Sequence, residues 1–331
     1  MTEHFIAGSG LLDRFGRRKR KLRLSLTDRC NFRCRYCMPE HPQWLPGREL
    51  MSREELLRLA TLFVEAGIEE LRLTGGEPLL RRDVVACVSA LNALRGRGLR
   101  RLSMTTNGSR LPLLLDGLIA AGLDDLNISL DAVDERRFRE LTGRALAPVL
   151  EGIDAARARG IPVKLNAVLI QGYNDDQIPS LVDWARSRQL PLRFIEYMPL
   201  DQPGRWRADQ VVSEARILAA LAPHHRLEPL PRSASPATLY RLEDGYQLGV
   251  ISTVSRPFCA RCDRLRLTAN GHLYTCLFSR QGHDLLTPLR AGETDDELRY
   301  RVQQRVWHKD AGYAATPGPV ARPITMHGMG G

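Results

Sequence analysis

Apolar residues recur along the chain in two alternating rhythms. Short extended stretches at Leu22–Thr27, Ile68–Leu73, Leu102–Thr105, Leu126–Leu130, Val163–Ile170 and Leu192–Tyr197 have the length and aliphatic character of buried strands. Between them lie segments of helical period at Glu54–Phe63, Asp83–Leu94, Leu113–Ala121, Ala147–Arg159 and Asp175–Ser187. The first of these carries Leu56, Leu57, Ala60 and Phe63 on one face, and Ser52 with Glu55 makes a capping box at its start. Strands and helices in alternation imply right-handed parallel crossovers. The pattern fails near Pro199 after six strands, so the expected fold class is α/β: an incomplete (βα)6 TIM-like barrel, short of eight-stranded closure.

Beyond Pro199 the rhythm changes. Asp201–Ala208 and Glu228–Pro236 read as irregular connections around one helix, Val211–Leu221. Extended segments follow at Leu239–Leu242, Gln247–Ser252, Arg264–Thr268 and His272–Cys276, with Asn270-Gly271 as a hairpin turn between the last two. Thr294 and Glu297 make a second capping box before a helical stretch that ends near Lys309. Two parts are expected: residues 1–200, a barrel core with a basic N-terminal segment, and residues 201–331, a C-terminal region whose tail lacks periodicity and ends in Gly330-Gly331.

Composition narrows the class. Over 331 residues, 43% hydrophobic and 26% charged is the balance of an ordinary globular chain. No apolar run approaches the roughly 18 residues that cross a bilayer, so no membrane partner is expected. The formal net charge of +10 suits a polyanion. The run Arg17, Arg18, Lys19, Arg20 and Lys21 has no interleaved aromatic residues and reads as a solvated terminus. No homeodomain, C2H2 or RNP pattern accompanies it, so nucleic acid is not an expected partner. The N-terminus has no apolar leader, and Glu3 and Asp13 precede the basic run, which makes the cytoplasm the expected compartment.

The seven cysteines are grouped locally. Cys30, Cys34 and Cys37 form C-x3-C-x2-C directly after the first strand. Three thiolates can hold three irons of a 4Fe-4S cubane and leave the fourth open, whereas structural zinc needs a fourth ligand such as His41. Cys259, Cys262 and Cys276 form a second trio, C-x2-C-x13-C, with zinc completed by His272 as its alternative. Cys87 lies in an apolar helical segment and reads as a small buried side chain.

The first trio, with Tyr36 before its last cysteine, resembles the radical S-adenosylmethionine superfamily. Thr74-Gly75-Gly76-Glu77-Pro78 after the second strand is similar to that family's glycine-rich loop. The resemblance implies that Gly75, Gly76 and Glu77 receive the methionyl amine, that Ser129 hydrogen-bonds the cofactor, and that Met198 and Tyr36 lie along its site. The wider set is Leu24-Ser25-Leu26-Thr27-Asp28-Arg29-Cys30, Thr105-Thr106-Asn107-Gly108, Phe194-Ile195-Glu196-Tyr197-Met198-Pro199, the Arg264-x-Arg266 pair and the Gly-Gly end. It resembles the GTP 3',8-cyclase family of molybdenum cofactor biosynthesis from about Leu22 to Gly331.

That resemblance implies two 4Fe-4S clusters, on Cys30, Cys34, Cys37 and on Cys259, Cys262, Cys276, the second forming a C-terminal auxiliary-cluster region. It implies a 5'-deoxyadenosyl radical that takes hydrogen from C3' of GTP, closure onto C8, and 3',8-cyclo-7,8-dihydro-GTP as product. Arg23, Arg72, Thr105, Lys164, Arg264 and Arg266 are the implied GTP residues. Arg264, Arg266, Gly330 and Gly331 are the implied catalytic ones, the glycines as a tail entering the site. Arginine suits such a substrate because its planar fork matches phosphate. Glu70 departs from the family, which often has a basic residue there. An electron donor, a cyclic pyranopterin monophosphate synthase acting next, and a monomer or homodimer complete the expectation. A radical enzyme acting on a peptide or haem-related substrate is the alternative; auxiliary clusters of that kind often use more cysteines, and only Cys87 is spare.

Overall fold

Six parallel strands stand side by side in chain order: β1 (Lys21–Ser25), β2 (Glu70–Thr74), β3 (Arg101–Thr106), β4 (Asp125–Ser129), β5 (Val163–Leu169) and β6 (Leu192–Glu196). They come from a computed structural model that describes residues 10–200, 206–232, 235–313 and 326–330. Side chains alternate across each strand. Leu22, Leu24, Leu71, Leu73, Leu102, Met104, Ile128, Leu165 and Phe194 are fully buried in one hydrophobic core, whose helical share comes from the crossovers. The opposite parity carries Arg23, Arg72, Ser103, Asn127, Lys164 and Arg193, so the inner face of the curved sheet is polar.

The crossover helices are α1 (Arg53–Glu65), α2 (Val84–Asn92), α3 (Leu111–Ala120), α4 (Glu135–Thr142), α5 (Ala147–Ala158) and α6 (Ile178–Ser187). The capping box of α1 forms as expected, with Ser52 and Glu55 exchanging main-chain and side-chain hydrogen bonds. Helix α4 was absent from the sequence expectation. Its charged sequence ERRFRELT leaves only Phe138 and Leu141 to mark an apolar face, yet Asp134 caps one end and Gly143, at φ +68°, closes the other.

The remaining elements are α7 (Glu214–Leu221), β7 (Glu228–Pro229), β8 (Thr238–Arg241), β9 (Gln247–Ile251), β10 (Arg264–Leu267), β11 (His272–Tyr274), β12 (His283–Asp284), α8 (Leu286–Arg290), α9 (Asp295–Trp307) and α10 (Met326–Met329). Strand β9 pairs parallel with β6, and β10 pairs parallel with β1. Residues beyond 200 therefore lengthen both edges of the barrel sheet, whose order is β12-β11-β10-β1-β2-β3-β4-β5-β6-β9-β8-β7. The sheet stays open, an incomplete TIM-like barrel. The Asn270-Gly271 hairpin forms between β10 and β11, with Gly271 at φ +74°.

The basic N-terminal run is not a solvated terminus. Arg17 and Lys19 are buried, at 8% and 0% exposure, while Arg18 and Arg20 face solvent. Asp13, also buried, accepts from Arg17 Nε and Lys19 Nζ at 2.7 Å each, which makes their burial tolerable. Among the described residues no helix is long and apolar enough to cross a membrane.

Candidate active site

The first cysteine trio lies in the loop that leaves β1. Main-chain N–H groups of Arg33 and Arg35 donate to the Thr142 and Leu141 carbonyls, so the unforeseen helix α4 anchors this loop from its C-terminal end. Cys37 and Met38 N–H both donate to the Cys34 carbonyl, and Phe32 N–H reaches Cys30 Sγ at 3.4 Å. Burial pushes the Cys30 thiol up to about 11, and Cys34 and Cys37 are also raised, by burial first and then by Asp131 and neighbouring thiols. Positive charge from bound metal is what such thiols need in order to ionise. Tyr36 donates its hydroxyl to Asp131 Oδ2 at 2.7 Å, and Asp131 is pushed up to about 6 by burial.

The glycine pair after β2 lies directly against this loop. Gly76 N–H donates to the Thr27 carbonyl and Glu77 N–H to that of Arg29. A Cβ on Gly75 would overlap the Thr27 oxygen, and one on Gly76 the Arg29 oxygen, so only glycine permits the approach. The Glu77 carboxylate is buried and engaged: Oε1 accepts from Leu79 N–H and Thr106 Oγ1, and Oε2 from Asn107 N–H. Burial still raises its pKa. Glu77 thus ties the loop after β2 to the end of β3. Asn107 Nδ2 continues the tie to Asn31 Oδ1 in the cysteine loop.

The second trio collects at the start of β10. Cys259 and Cys262 bracket a single 3-10 turn, and Cys276 follows β11, which runs back antiparallel to β10. Phe278 N–H donates to Cys276 Sγ at 3.4 Å, the same two-residue offset as in the first trio. Burial alone would raise the Cys262 thiol, but Arg264, Lys309 and Lys19 bring it down to about 7. The zinc alternatives find no support: His41 is exposed, and His272 Nδ1 lies 3.2 Å from the Asn270 carbonyl in its own hairpin. Among the described residues no three His, Cys, Asp or Glu side chains converge as a single-ion site requires. Two sets of three free thiols, each with an N–H···S bond, fit iron–sulfur centres. Cys87 is buried in α2, as expected.

Between the trios runs a row of guanidinium groups. Arg266, Arg23 and Arg72 are in register across β10, β1 and β2. Burial lowers the pKa of Arg23 well below its usual value, and Arg266, Arg72 and Arg264 press it the same way. Arg72 Nη1, Ser25 Oγ, Thr74 Oγ1, Asn127 Oδ1 and Asn166 Oδ1 are buried with no hydrogen bond inside the protein, an arrangement that calls for a polar ligand. Lys164 is in register with Asn127, and Thr105 with Asn127 from the other side. Ser129, in register with Asn166, ends β4, and Met198 follows β6. Arg264 stacks its guanidinium 4.8 Å from the Phe258 ring centroid.

Two lumen cations escaped the sequence reading. Arg193 alternates with buried Leu192 and Phe194, as Lys164 does with buried Val163 and Leu165. Arg101 is in register with Glu70 and is held by Asp125 through a 2.7 Å bond from its Nε. A basic side chain therefore lies in register with Glu70 on the next strand.

The C-terminal tail enters this lumen. Gly330 accepts from Arg266 Nη1 at 2.9 Å, and its φ of +76° favours glycine. A Cβ there would overlap Ser25 Oγ and Thr74 Oγ1. His327 packs edge-on against Trp44 at 5.9 Å. Gly331 lies outside the described residues.

Residues 24–185 match the Radical SAM superfamily model, and residues 190–315 match Molybdenum Cofactor Synthesis C. A GTP 3',8-cyclase of Paenarthrobacter nicotinovorans is 46% identical, over 92% of this chain and 90% of the relative. The chain belongs to the GTP 3',8-cyclase family. A second family member, from Streptomyces coelicolor, is 44% identical over 91% of this chain and 90% of its own. The fold is shared with Streptococcus suis SuiB bound to S-adenosylmethionine, at TM-score 0.60 and 15% identity, covering 88% of this chain and 64% of that one.

Proposed function

We propose that this chain, a radical S-adenosylmethionine GTP 3',8-cyclase, joins C3' to C8 of GTP in the lumen between its two cysteine trios. The observation that carries the placement is the strand pair β10/β1. Cys262 lies two residues before the start of β10, Cys30 follows the end of the parallel strand β1, and the Arg266–Arg23–Arg72 row lies between. Five strand residues rise roughly 16 Å. A nucleoside triphosphate is of that size.

Cys30, Cys34 and Cys37 would hold one 4Fe-4S cluster and Cys259, Cys262 and Cys276 the other, and the first, with S-adenosylmethionine, supplies one-electron chemistry that removes a hydrogen atom from the substrate ribose. Gly75 and Gly76 give the methionyl group a close main-chain surface, held in place by Glu77 through its bonds to Thr106 and Asn107. Ser129, Met198 and Tyr36 border the adenosine, with Tyr36 fixed by Asp131. Arg23, Arg72, Lys164, Arg193 and Arg101 face the triphosphate, and Thr105 adds a hydroxyl. Arg264 and Arg266 join the second trio to that anion site, and Gly330 closes the lumen beside the reacting sugar. Fixing both ends of the nucleotide brings C3' and C8 to reacting distance.

Residues 1–200 supply the cofactor loops and 201–331 the guanine-binding trio and tail. The chain works in the cytoplasm, as a monomer or homodimer, with an electron donor upstream and a cyclic pyranopterin monophosphate synthase taking its product. The test is anaerobic incubation with reductant, S-adenosylmethionine and GTP. Cyclised nucleotide supports the reading; a modified peptide from a parallel incubation, with GTP untouched, overturns it.

A further inference from the structure

The cations around the second trio are arranged one to a cysteine. Arg17 Nη1 donates to the Cys259 carbonyl at 2.9 Å, Lys19 Nζ to the Cys262 carbonyl at 2.7 Å, and Lys309 Nζ to the carbonyl of Thr275, the residue before Cys276. All three side chains are buried, Lys19 and Lys309 at 0% and 2% exposure. They come from two segments far apart in sequence, residues 17–19 ahead of β1 and the turn that follows α9. Arg17 stitches the two together through the Asp310 and Ala311 carbonyls.

Charge does not balance within this group. Among the described residues, these three buried cations meet one buried carboxylate, Asp13, which both Arg17 and Lys19 share. Main-chain carbonyls satisfy the N–H donors but do not neutralise charge, and buried ammonium groups without an anion are costly. The thiolates of Cys259, Cys262 and Cys276, whose main chain these cations hold, would supply compensating negative charge once they carry metal.

We propose that Arg17, Lys19 and Lys309 are positioning residues for the second trio, a buried cationic brace that fixes the main chain at each cysteine and balances an anionic iron–sulfur centre. The proposal rests on the reading that this trio holds a cluster. Brace and cluster then stabilise each other: the metal centre supplies the missing anion, and the cations hold an open cage of three thiolates that would otherwise spread. Removing a buried cation lowers the cluster's reduction potential, because the reduced form carries one more negative charge.

The test uses the full chain reconstituted anaerobically, with Lys19→Met, Lys309→Met, Lys309→Gln and Lys309→Arg beside Cys259→Ser. The parent should hold about eight irons per chain and Cys259→Ser about four. The two Met variants should also fall to about four while still cleaving S-adenosylmethionine. Lys309→Gln, which can keep a donor without charge, should retain more iron and show a second-cluster potential more negative than the parent's. Lys309→Arg should restore both iron content and potential. Circular dichroism identifies any variant that has lost its fold, and in that case the Gln and Arg forms of Lys309 decide. Eight irons and an unshifted potential in Lys309→Met and Lys309→Gln would overturn the brace while leaving the cluster assignment standing. About four irons in both parent and Cys259→Ser would instead overturn the underlying reading.

Discussion

The guanidinium of Arg266 donates from Nη1 to the carbonyl of Gly330 at 2.9 Å, across 64 positions of chain. This bond fixes the tail where Ser25 and Thr74 end their strands, beside both polar atoms that have no partner of their own. Gly330→Val should therefore expel the tail, through overlap with those hydroxyls and through strain at φ +76°. Cyclisation should fall by at least about tenfold, on the scale of one lost charge-assisted hydrogen bond. Cleavage of S-adenosylmethionine measured alone should persist. Product formation at the parent rate would remove the tail from the mechanism.

Arg72 and Arg193 make a prediction about substrate choice. Arg72 Nη1 is buried and unbonded, and burial lowers the pKa of both guanidiniums, the signature of cations set aside for an anion. Arg72→Ala should weaken GTP binding by roughly 10- to 100-fold, from about 1.5–3 kcal/mol per charged hydrogen bond, and leave guanosine binding nearly unchanged. Equilibrium binding of GTP, GMP and guanosine to the reconstituted chain separates the two. Equal losses for all three would place Arg72 away from the phosphates.

The approach of the glycine pair to the cysteine loop is a steric claim. A Cβ at Gly76 would overlap main-chain oxygen rather than a movable side chain, so the loops must separate in Gly76→Ala. Iron content should drop by the first cluster's share and S-adenosylmethionine binding should be lost with it. Retention of both would show that the loops tolerate the shift.

Glu214 gives a pH signature remote from the clusters. It accepts from Tyr240 at 2.5 Å and Ser252 at 2.6 Å, joining α7 to β8 and the end of β9. Burial alone would raise its carboxyl, but those hydroxyls and Arg256 hold it below its ordinary 4.5. A carboxyl depressed in the folded state contributes stability above its unfolded pKa and loses it as pH falls through the folded value. Glu214→Gln should lower the Tm at pH 7, and the gap to the parent should narrow below about pH 4. A gap independent of pH would mean that packing, not charge, is what the substitution disturbs.

The sequence made much of this visible where side-chain pattern and local chemistry coincide. The six barrel strands and the capping boxes at Ser52 and Thr294 appear within a residue or two of their expected places. Lys164 could be read as inward-facing from its apolar neighbours, and Arg193 carried the same signal unread. Three features were illegible for physical reasons. Helix α4 hides its apolar face among charges. The placement of β9 and β10 on opposite edges depends on long-range pairing that no local pattern records. Lys19 looks like any solvated lysine, because the Asp13 carboxylate and the Cys262 carbonyl that receive it are set by tertiary folding.

The central claim is that two open thiolate cages serve one lumen, and it is tested most directly by following GTP through the anaerobically reconstituted chain. With reductant and S-adenosylmethionine, the parent should convert GTP to 3',8-cyclo-7,8-dihydro-GTP. Cys259→Ser should still form 5'-deoxyadenosine but yield no cyclised nucleotide. Parent-level cyclisation by Cys259→Ser, or a parent that cleaves S-adenosylmethionine while GTP is recovered intact, would contradict the account.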